Sequence, residues 1–521
     1  MLKIIIRVDA SIQIGIGHVM RCLTLAHVLR VNGSDVCFVC RDCPGHLQKV
    51  IKKQGFRVVL LPKAKLGYSL KEKDSPYANW LGLPWQQDVE EVKNFLKHKP
   101  IDWVIVDHYG IDYRWHESIR LYTKKIMVID DLADRKLDCD LLLDQTSGRE
   151  LENYASLIPG KSHLLLGTNY ALLRPEFKQI RRKAIDKRRT FDGIRQIIVS
   201  MGSMDPNNLT GSVLSALEEV KWKHAPIVDV VLGGKAPFLK SIIDQSKNHL
   251  LEVNICQDVS DMSQLMLRAD LAIGAGGTTS WERCILGLPS LVVKLAENQV
   301  EVIGELVKLG VARRIYEIES DVVLECNNLI QKNTLMSLMS ENAFKVVDGQ
   351  GAELAAIYMH PDVTRDGSRI TIRNANMHDV DLTYQWQLNP NTRKYFFDPK
   401  VPIYDEHLVW FQNILDVPTD FFYIIEKNSK PAGVVRLNYN FSGLNSCYIV
   451  SIYVSPDHYK LGIGSIVLGY IDQLFLGNEL HAKIVEKNIA SESLFVKCGY
   501  VKTKEYGLYI KYPKTGNFLD E

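Results

Sequence analysis

Three glycine-punctuated segments hold the side chains with most chemistry to offer. In RVDASIQIGIGHVMRC, residues 7 to 22, Gly15 and Gly17 form a loop after a β-branched run, and His18 falls on the first turn of the next helix. The free N–H groups and dipole of such a terminus favour an anionic ligand. The same field disfavours a proton on the imidazole, leaving it able to accept one from water. A helix-capping histidine between turn glycines uses the same residues, so GIGH alone leaves both roles open. In LAIGAGGTTSWERCILGLPSLVV, Gly274, Gly276 and Gly277 follow a strand, Thr278, Thr279 and Ser280 open a helix, and Glu282 lies one turn in. Such glycines let backbone approach a diphosphate, the hydroxyls add donors, and the carboxylate suits paired ribose hydroxyls. The segment lacks the lysine of a Walker motif, which argues against an ATPase. A second loop, VSMGSMDPNN, puts Gly202 and Ser203 at another strand end, where open sheets bind ligands. The third segment, SCYIVSIYVSPDHYKLGIGSIVLGYI, has an alternating strand, a Pro-Asp break and a helix opened by Gly462 and Gly464. That predicts a pyrophosphate on helix-terminal amides, beside an open strand able to pair with an extended, amide-bearing ligand. Glu486 beside that strand is a candidate base for an attacking amine, or a solvated strand-end carboxylate.

These segments need sheets to position them. From residue 1 to about 355, β-branched runs alternate with amphipathic stretches, the pattern of a parallel sheet with crossover helices. Strands are predicted at 3–8, 35–40, 57–61, 103–107, 125–129 and 141–144, then at 196–200, 227–232, 250–254, 271–274 and 290–293. Between the two sets FKQIRRKAIDKRRT, from Phe177, reads as a solvated basic helix. After Ala356 a polar stretch with Pro361 and Gly367 reads as a linker, followed by a mainly antiparallel sheet with four helices. The fold class is therefore α/β, with two doubly wound Rossmann-like lobes at 1–176 and 177–356, a linker at 357–368 and an α+β domain at 369–513.

Composition agrees with a globular enzyme. The 521 residues are 46% hydrophobic and 24% charged, and 63 Lys+Arg against 61 Asp+Glu give a net charge of +2. So balanced a chain has no electrostatic footprint for nucleic acid. No apolar run approaches the roughly 18 residues of a membrane span, and the amino-terminal run is too short for a secretory signal, which predicts a soluble cytoplasmic protein. Ten unevenly spaced cysteines do not form a disulfide framework. Cys37, Cys40 and Cys43 have suggestive spacing, but strand alternation sends Cys37 and Cys40 to opposite faces, and no metal is expected there.

Taken in order, RVDASIQIGIGHVMRCLTLAHVLR, YANWLGLPWQQD, VDHYG, IDDLADR, CDLLLDQT, GTNYALLRPEF and GAGGTTSWERCILGLP closely resemble the UDP-sugar hydrolases of pseudaminic acid biosynthesis. The resemblance spans residues 1 to about 355. It implies a fold like the two-lobed, metal-independent (GT-B) glycosyltransferases, with UDP on the carboxyl lobe and the sugar over the amino lobe. It also implies hydrolysis of UDP-2,4-diacetamido-2,4,6-trideoxy-β-L-altropyranose, with His18 as the catalytic histidine. The sugar nucleotide would be held by Gly15, Gly17, Tyr77, Asn169, Arg174, Gly202, Ser203, Gly276, Gly277, Thr278, Thr279, Ser280, Glu282, Asn298 and Gln299. Asp138-Cys139-Asp140 spells the metal motif of other glycosyltransferases, but it leads into an apolar strand.

Residues 369 to about 513 resemble the GNAT acetyltransferases in two motifs, the second being HAKIVEKNIASESLFVKCGY. That implies acetyl-CoA as co-substrate, bound by Tyr459, Lys460, Leu461, Gly462, Ile463 and Gly464, by main chain of Ile452, Tyr453 and Val454, and near Asn488 and Phe495. Two positions depart from the pattern. Tyr459 stands where Gln or Arg is usual, and Phe495 where many relatives have a tyrosine that protonates the CoA thiolate, leaving that role to water, Tyr500 or another group. Both resemblances imply an acetylation followed by a hydrolysis on one UDP-linked amino sugar. The alternatives are an acetyltransferase for a different amino sugar, a glycosyltransferase in place of the hydrolase, and a noncatalytic CoA-binding module.

Overall fold

The structure, a computed structural model, describes residues 1–64, 77–97, 100–442 and 445–513. Its contacts divide the chain into two units, Met1–Ala352 and Glu353–Glu521. Among the described residues no helix is long and apolar enough to cross a membrane.

The first unit contains two parallel sheets. One has strands β1 (Lys3–Val8), β2 (Asp35–Arg41), β3 (Arg57–Leu61), β4 (Ile101–Asp107), β5 (Thr123–Ile129), β6 (Leu141–Asp144) and β7 (His163–Leu166), in the order β3-β2-β1-β4-β5-β6-β7. The other has β8 (Gln196–Ser200), β9 (Ile227–Leu232), β10 (Val253–Gln257), β11 (Leu271–Ala275), β12 (Ser290–Val293) and β13 (Ala312–Ile315), in the order β10-β9-β8-β11-β12-β13. Both are doubly wound, and their central strands are largely apolar because helices cover both faces. Strand β1 shows this: Ile4, Ile5, Ile6 and Val8 are all buried. The result is a two-lobed, GT-B-like α/β architecture.

Two expectations need correction here. The basic helix, Pro175–Arg188, is not solvated, since Phe177, Ile180, Arg181, Ala184, Ile185 and Arg188 are buried. Arg181 donates to the carbonyls of Ile285, Phe344 and Val347 at 2.7 to 3.0 Å, and Arg188 to those of Met266, Ala269 and Leu286. Charge along this helix therefore closes off carbonyl groups inside the lobe. The strand predicted at 250–254 begins three residues later, because His249 Nδ1 accepts the Leu251 N–H at 3.0 Å and ties the chain into a turn.

The second unit carries one mixed sheet of β14 (Ile370–Asn374), β15 (Phe421–Lys427), β16 (Lys430–Ser442), β17 (Asn445–Val454), β18 (Glu479–Lys483), β19 (Val501–Lys502) and β20 (Leu508–Lys511), in the order β14-β15-β16-β17-β18-β20-β19. All pairs are antiparallel except β17 with β18. The stretch expected as a linker is ordered. It finishes a helix at Met359 and folds into a turn closed by the Thr364 N–H on the Ser368 carbonyl at 2.9 Å.

Candidate active sites

In both lobes the sheet reverses its winding between two central strands, where open α/β sheets hold ligands. In the first lobe that point lies between β1 and β4, with Val8 in register with Asp107. The loop after β1 turns sharply, the Gly15 N–H bonding the Ser11 carbonyl at 2.8 Å, and Gly15 takes φ +81°, a conformation that favours glycine. The turn starts the helix Gly17–Val31 with His18 in its first turn. His18 Nδ1 lies 2.6 Å from Asp107 Oδ1. Arg21, one turn on, donates to both oxygens of Asp107 at 2.7 Å and to Asp131 at 2.9 Å. Burial pushes the Asp107 pKa up, but the charge of Arg21 and the hydrogen bonds from Arg21 and His18 outweigh it and hold the carboxyl well below the usual carboxylate range. An ionised carboxylate only accepts hydrogen bonds. Nδ1 of His18 therefore carries the hydrogen, which leaves Nε2 as the nitrogen able to offer a lone pair, the tautomer of a general base.

Three aromatic rings surround this imidazole. Tyr109 meets it edge-on at 4.7 Å and Trp80 at 6.3 Å; Trp80 stacks on Tyr109 at 5.3 Å, and Tyr77 packs against both. The Tyr109 hydroxyl donates to Asp131, tying the ring to the Arg21 pair. Behind the loop lies a fully buried ion cluster. Arg7 donates to Asp9 at 2.6 Å and to Asp88 at 2.7 Å, Arg41 to Asp88 at 2.6 Å, and the Arg41 N–H to Asp9 at 2.7 Å. It anchors the start of the His18 loop to the neighbouring strand β2.

In the second lobe the reversal lies between β8 and β11, where Ser200 is in register with Gly274. The two predicted glycine loops therefore leave the sheet side by side. The glycines serve different ends. A Cβ on Gly274 would lie 2.5 Å from the Ser200 carbonyl and one on Gly276 2.2 Å from the Ile303 side chain, so both are required by packing inside the lobe. Gly202 has φ +86° and open space around it, and Gly277 faces Gln299 at 3.7 Å. A Cβ on Gly17 would stand 3.7 Å from Thr278 Oγ1, which brings the His18 turn against the second lobe's loop. Thr279 begins the helix Thr279–Ile285. Ser280 is buried with its Oγ accepting from Arg283 at 2.8 Å, so that hydroxyl is committed inside the lobe. Glu282 pairs with Arg174 at 3.0 Å; burial raises its pKa and Arg174 opposes the rise. Ser203 gives its carbonyl to the Gly233 N–H at 2.9 Å. Asn169 is exposed in a short helical turn. Asn298 lies in the turn Glu297–Gln299, and its side chain is outside the described residues.

No cluster of His, Cys, Asp or Glu among the described residues has the arrangement of a metal site. Asp138 and Asp140 are both taken up by Arg120, at 2.5 and 2.7 Å.

In the second unit, β17 and β18 pair only at Cys447–Glu479, Tyr448–Leu480 and Ile449–His481. Beyond Ile449 they separate, leaving that edge of Val450–Val454 without a strand partner, as the open-strand expectation required. Just beyond, Lys460 and Gly462 have φ of +64° and +87°, and Gly462 caps the helix Ile463–Leu474. Gly462 is exposed, so the free N–H groups of that helix end face outward. Gly464 serves packing: a Cβ there would lie 2.8 Å from Leu494. Asn488 caps the helix Ile489–Lys497 by accepting the Ser491 N–H. Phe495 is buried against Tyr500, ring centroids 4.9 Å apart, and the Tyr500 hydroxyl is buried without a hydrogen-bond partner. Glu486 is exposed and accepts from the Tyr506 hydroxyl at 3.0 Å.

Residues 382–500 match the acetyltransferase (GNAT) family. The chain is 27% identical over 319 residues to the UDP-2,4-diacetamido-2,4,6-trideoxy-beta-L-altropyranose hydrolase of Campylobacter jejuni, covering 61% of this chain and 99% of that protein. The chain fuses a homologue of that hydrolase to a GNAT domain. An uncharacterized protein of Methanocaldococcus jannaschii is 26% identical over 517 residues, 97% of this chain and 98% of its own, so the two-part layout recurs there at full length. Among solved structures, MurG of Acinetobacter baumannii aligns with 69% of this chain and 99% of its own, at 13% identity and a TM-score of 0.49.

In the hydrolase homologue, sequence reasoning singled out His18 but gave no role to Arg21, Trp80, Asp107, Tyr109 or Asp131. Trp80 and the Asp107–Tyr109 pair sit within YANWLGLPWQQD and VDHYG, and the signal available was a carboxylate and an aromatic ring at the end of an apolar strand. In the GNAT domain, Tyr459 is nearly half exposed at the loop's start, and Phe495 fills a packed site with no hydroxyl to offer.

Proposed function

We propose that the chain is a bifunctional enzyme of pseudaminic acid biosynthesis. Its GNAT domain transfers acetyl from acetyl-CoA to the C4 amine of UDP-4-amino-4,6-dideoxy-N-acetyl-β-L-altrosamine. Its two-lobed unit hydrolyses the diacetamido product to free sugar and UDP. The observation that carries the hydrolytic half is the His18–Asp107 pair, set among aromatic rings at one lobe's reversal point and against the Thr278 loop of the other. His18 Nε2 takes a proton from water as the water oxygen attacks the anomeric carbon. The C1–O bond breaks and UDP leaves with the glycosidic oxygen. The second lobe holds UDP on its glycine loops, through Gly202, Gly277, Thr278 and Thr279, with Glu282 and Arg174 beside the ribose.

In the GNAT domain the pantetheine amides pair with Ile452–Val454 and the pyrophosphate rests on the amides after Gly462. The neutral amine attacks the thioester carbonyl, the C–S bond breaks, and CoA leaves as a thiolate that takes up a proton. Phe495 has none to give, and Tyr500 is the nearest hydroxyl in its packing. Glu486, exposed at the strand end, is the candidate to remove the amine proton through water.

The test supplies the intact protein with the 4-amino UDP-sugar, with and without acetyl-CoA, in ¹⁸O water. The expected result is acetylated sugar bearing ¹⁸O at C1 and unlabelled UDP, formed only when acetyl-CoA is present. Label in UDP, or transfer to an added acceptor in preference to water, would overturn the hydrolase reading. Absence of acetylated product would overturn the other half.

A further inference from the structure

The sheet of the GNAT domain has two faces of different character. Phe421, Tyr448 and Phe475 pack together on the side of the helix Ile463–Leu474, at 4.8 to 6.0 Å between rings. On the opposite face Val434 is in register with Tyr453 and Arg436 with Ser451. The helices Val380–Leu388 and Tyr404–Asp416 pack there through Trp386, Trp410 and Phe411. Arg436 lies 5.4 Å over the Trp410 ring. Its Nε is buried and has no hydrogen-bond partner, and the buried hydroxyl of Tyr453 has none either. Trp386 and Phe396 flank that tyrosine at 6.1 Å. The nearest acid, Asp420, does not pair with Arg436, because its oxygens accept from Asn438 at 2.6 Å and from the Tyr439 N–H at 2.9 Å.

Other inward-turned arginines have a counter-ion or a set of carbonyls in front of them, even where, as in Arg41, one nitrogen is left over. Arg7 and Arg41 hold carboxylates, Arg181 and Arg188 hold carbonyls, and Arg373 in this same domain holds Asp379 and Glu426. A half-buried guanidinium without a counter-ion is costly. Here it sits beside an unpartnered hydroxyl, opposite Ser451, in the part of β17 where the edge toward β18 has opened. A fork of donors with a hydroxyl alongside matches the oxygens of a phosphate.

We propose that Arg436 and Tyr453 form the acceptor's anion site, donating to a phosphate oxygen of a nucleoside-diphosphate-linked amine on the face opposite the coenzyme helix. This rests on the reading above that the acceptor is a nucleotide sugar. The pair makes the acetyltransferase select an amine that still carries its nucleotide, so that acetylation precedes cleavage.

The test compares wild type with Arg436→Met, Arg436→Lys and Tyr453→Phe in the full chain. The acceptor is the UDP-linked amino sugar or the same amino sugar without its nucleotide. Arg436→Met should raise the KM for the UDP-linked amine about 10- to 100-fold, and the preference for linked over unlinked amine should fall by the same factor. Arg436→Lys should recover part of that loss, and Tyr453→Phe should show a smaller one. An unchanged acceptor KM overturns the proposal. So does a rise confined to the acetyl-CoA KM, which would assign the guanidinium to a coenzyme phosphate. Should Arg436→Met fail to fold, wild type decides alone: UDP should inhibit acetyl transfer competitively against the amine and not against acetyl-CoA, and no inhibition at millimolar UDP overturns it. Wild type that acetylates only unlinked amines would overturn the nucleotide-sugar reading and this site together, whereas normal use of the linked amine with an unaffected Arg436→Met removes this site alone.

Discussion

On the proposed reading the two units solve the same problem, holding a diphosphate-bearing ligand at an open sheet, with different materials. Around His18 the working groups are side chains: an imidazole, a carboxylate kept ionised by a guanidinium, and three rings that wall the site. Around Gly462 they are main chain: strand amides released where β17 leaves β18, and helix amides behind a glycine in a left-handed conformation. A site built of side chains should fail when a functional group is removed. A site built of backbone should tolerate such removal and fail when the path of the chain is altered.

The largest effect expected from this contrast is at His18. His18→Asn should lower UDP release by about 10² to 10⁴ while leaving acetyl transfer intact, measured on the same preparation. Near-normal hydrolysis would break the comparison. Asp107→Asn should follow with a loss of about 10². An amide there can donate to Nδ1 and so move the hydrogen onto Nε2, which would show as a fall in kcat rather than a rise in KM. In the GNAT domain, Gly462→Val should raise the KM for acetyl-CoA about tenfold or more, because φ +87° strains any β-branched residue even though space for the side chain exists. Phe495→Ala, by contrast, should act on stability more than on coenzyme affinity.

The smallest effect is on stability and belongs to the charge-rich unit. His116 is fully buried, and burial, with Arg135 and Arg120 nearby, lowers its pKa to about 3. The unfolded chain takes up the proton near pH 6.5 and the folded protein does not, so stability is complete above about pH 6.5 and declines as pH falls toward 3. At pH 5 the cost is about 2 kcal/mol. His116→Asn, which keeps an acceptor for the Asp138 N–H, should lose less melting temperature than wild type between pH 7 and pH 5.

The strands were legible wherever local pattern and burial agree. Lys3–Val8, Arg57–Leu61, Leu141–Asp144, Gln196–Ser200, Ile227–Leu232 and Ser290–Val293 fall where their apolar runs put them. His163–Leu166 and Ala312–Ile315 are edge strands of four residues, too short to show a period. His18 and Gly462 were legible because a helix start follows a strand end with glycine between. Asp107 was not, because its partner is 89 residues away and only the β1–β4 register joins them. The basic helix misled for a related reason: no local pattern tells an arginine that reaches water from one that reaches a carbonyl.

The cluster behind the His18 loop has an evolutionary consequence. Arg7, Arg41, Asp9 and Asp88 are the buried centre of an ion cluster, and Arg41 also reaches the partly exposed Glu91 at 2.8 Å. Losing any one strands a partner's charge in the interior at a cost of about 3–5 kcal/mol, a large part of a domain's whole stability. Neutral drift through single changes is closed to these four positions. Related genes should keep the quartet entire or have exchanged it wholesale for apolar residues, and intermediates carrying three of the four should be rare.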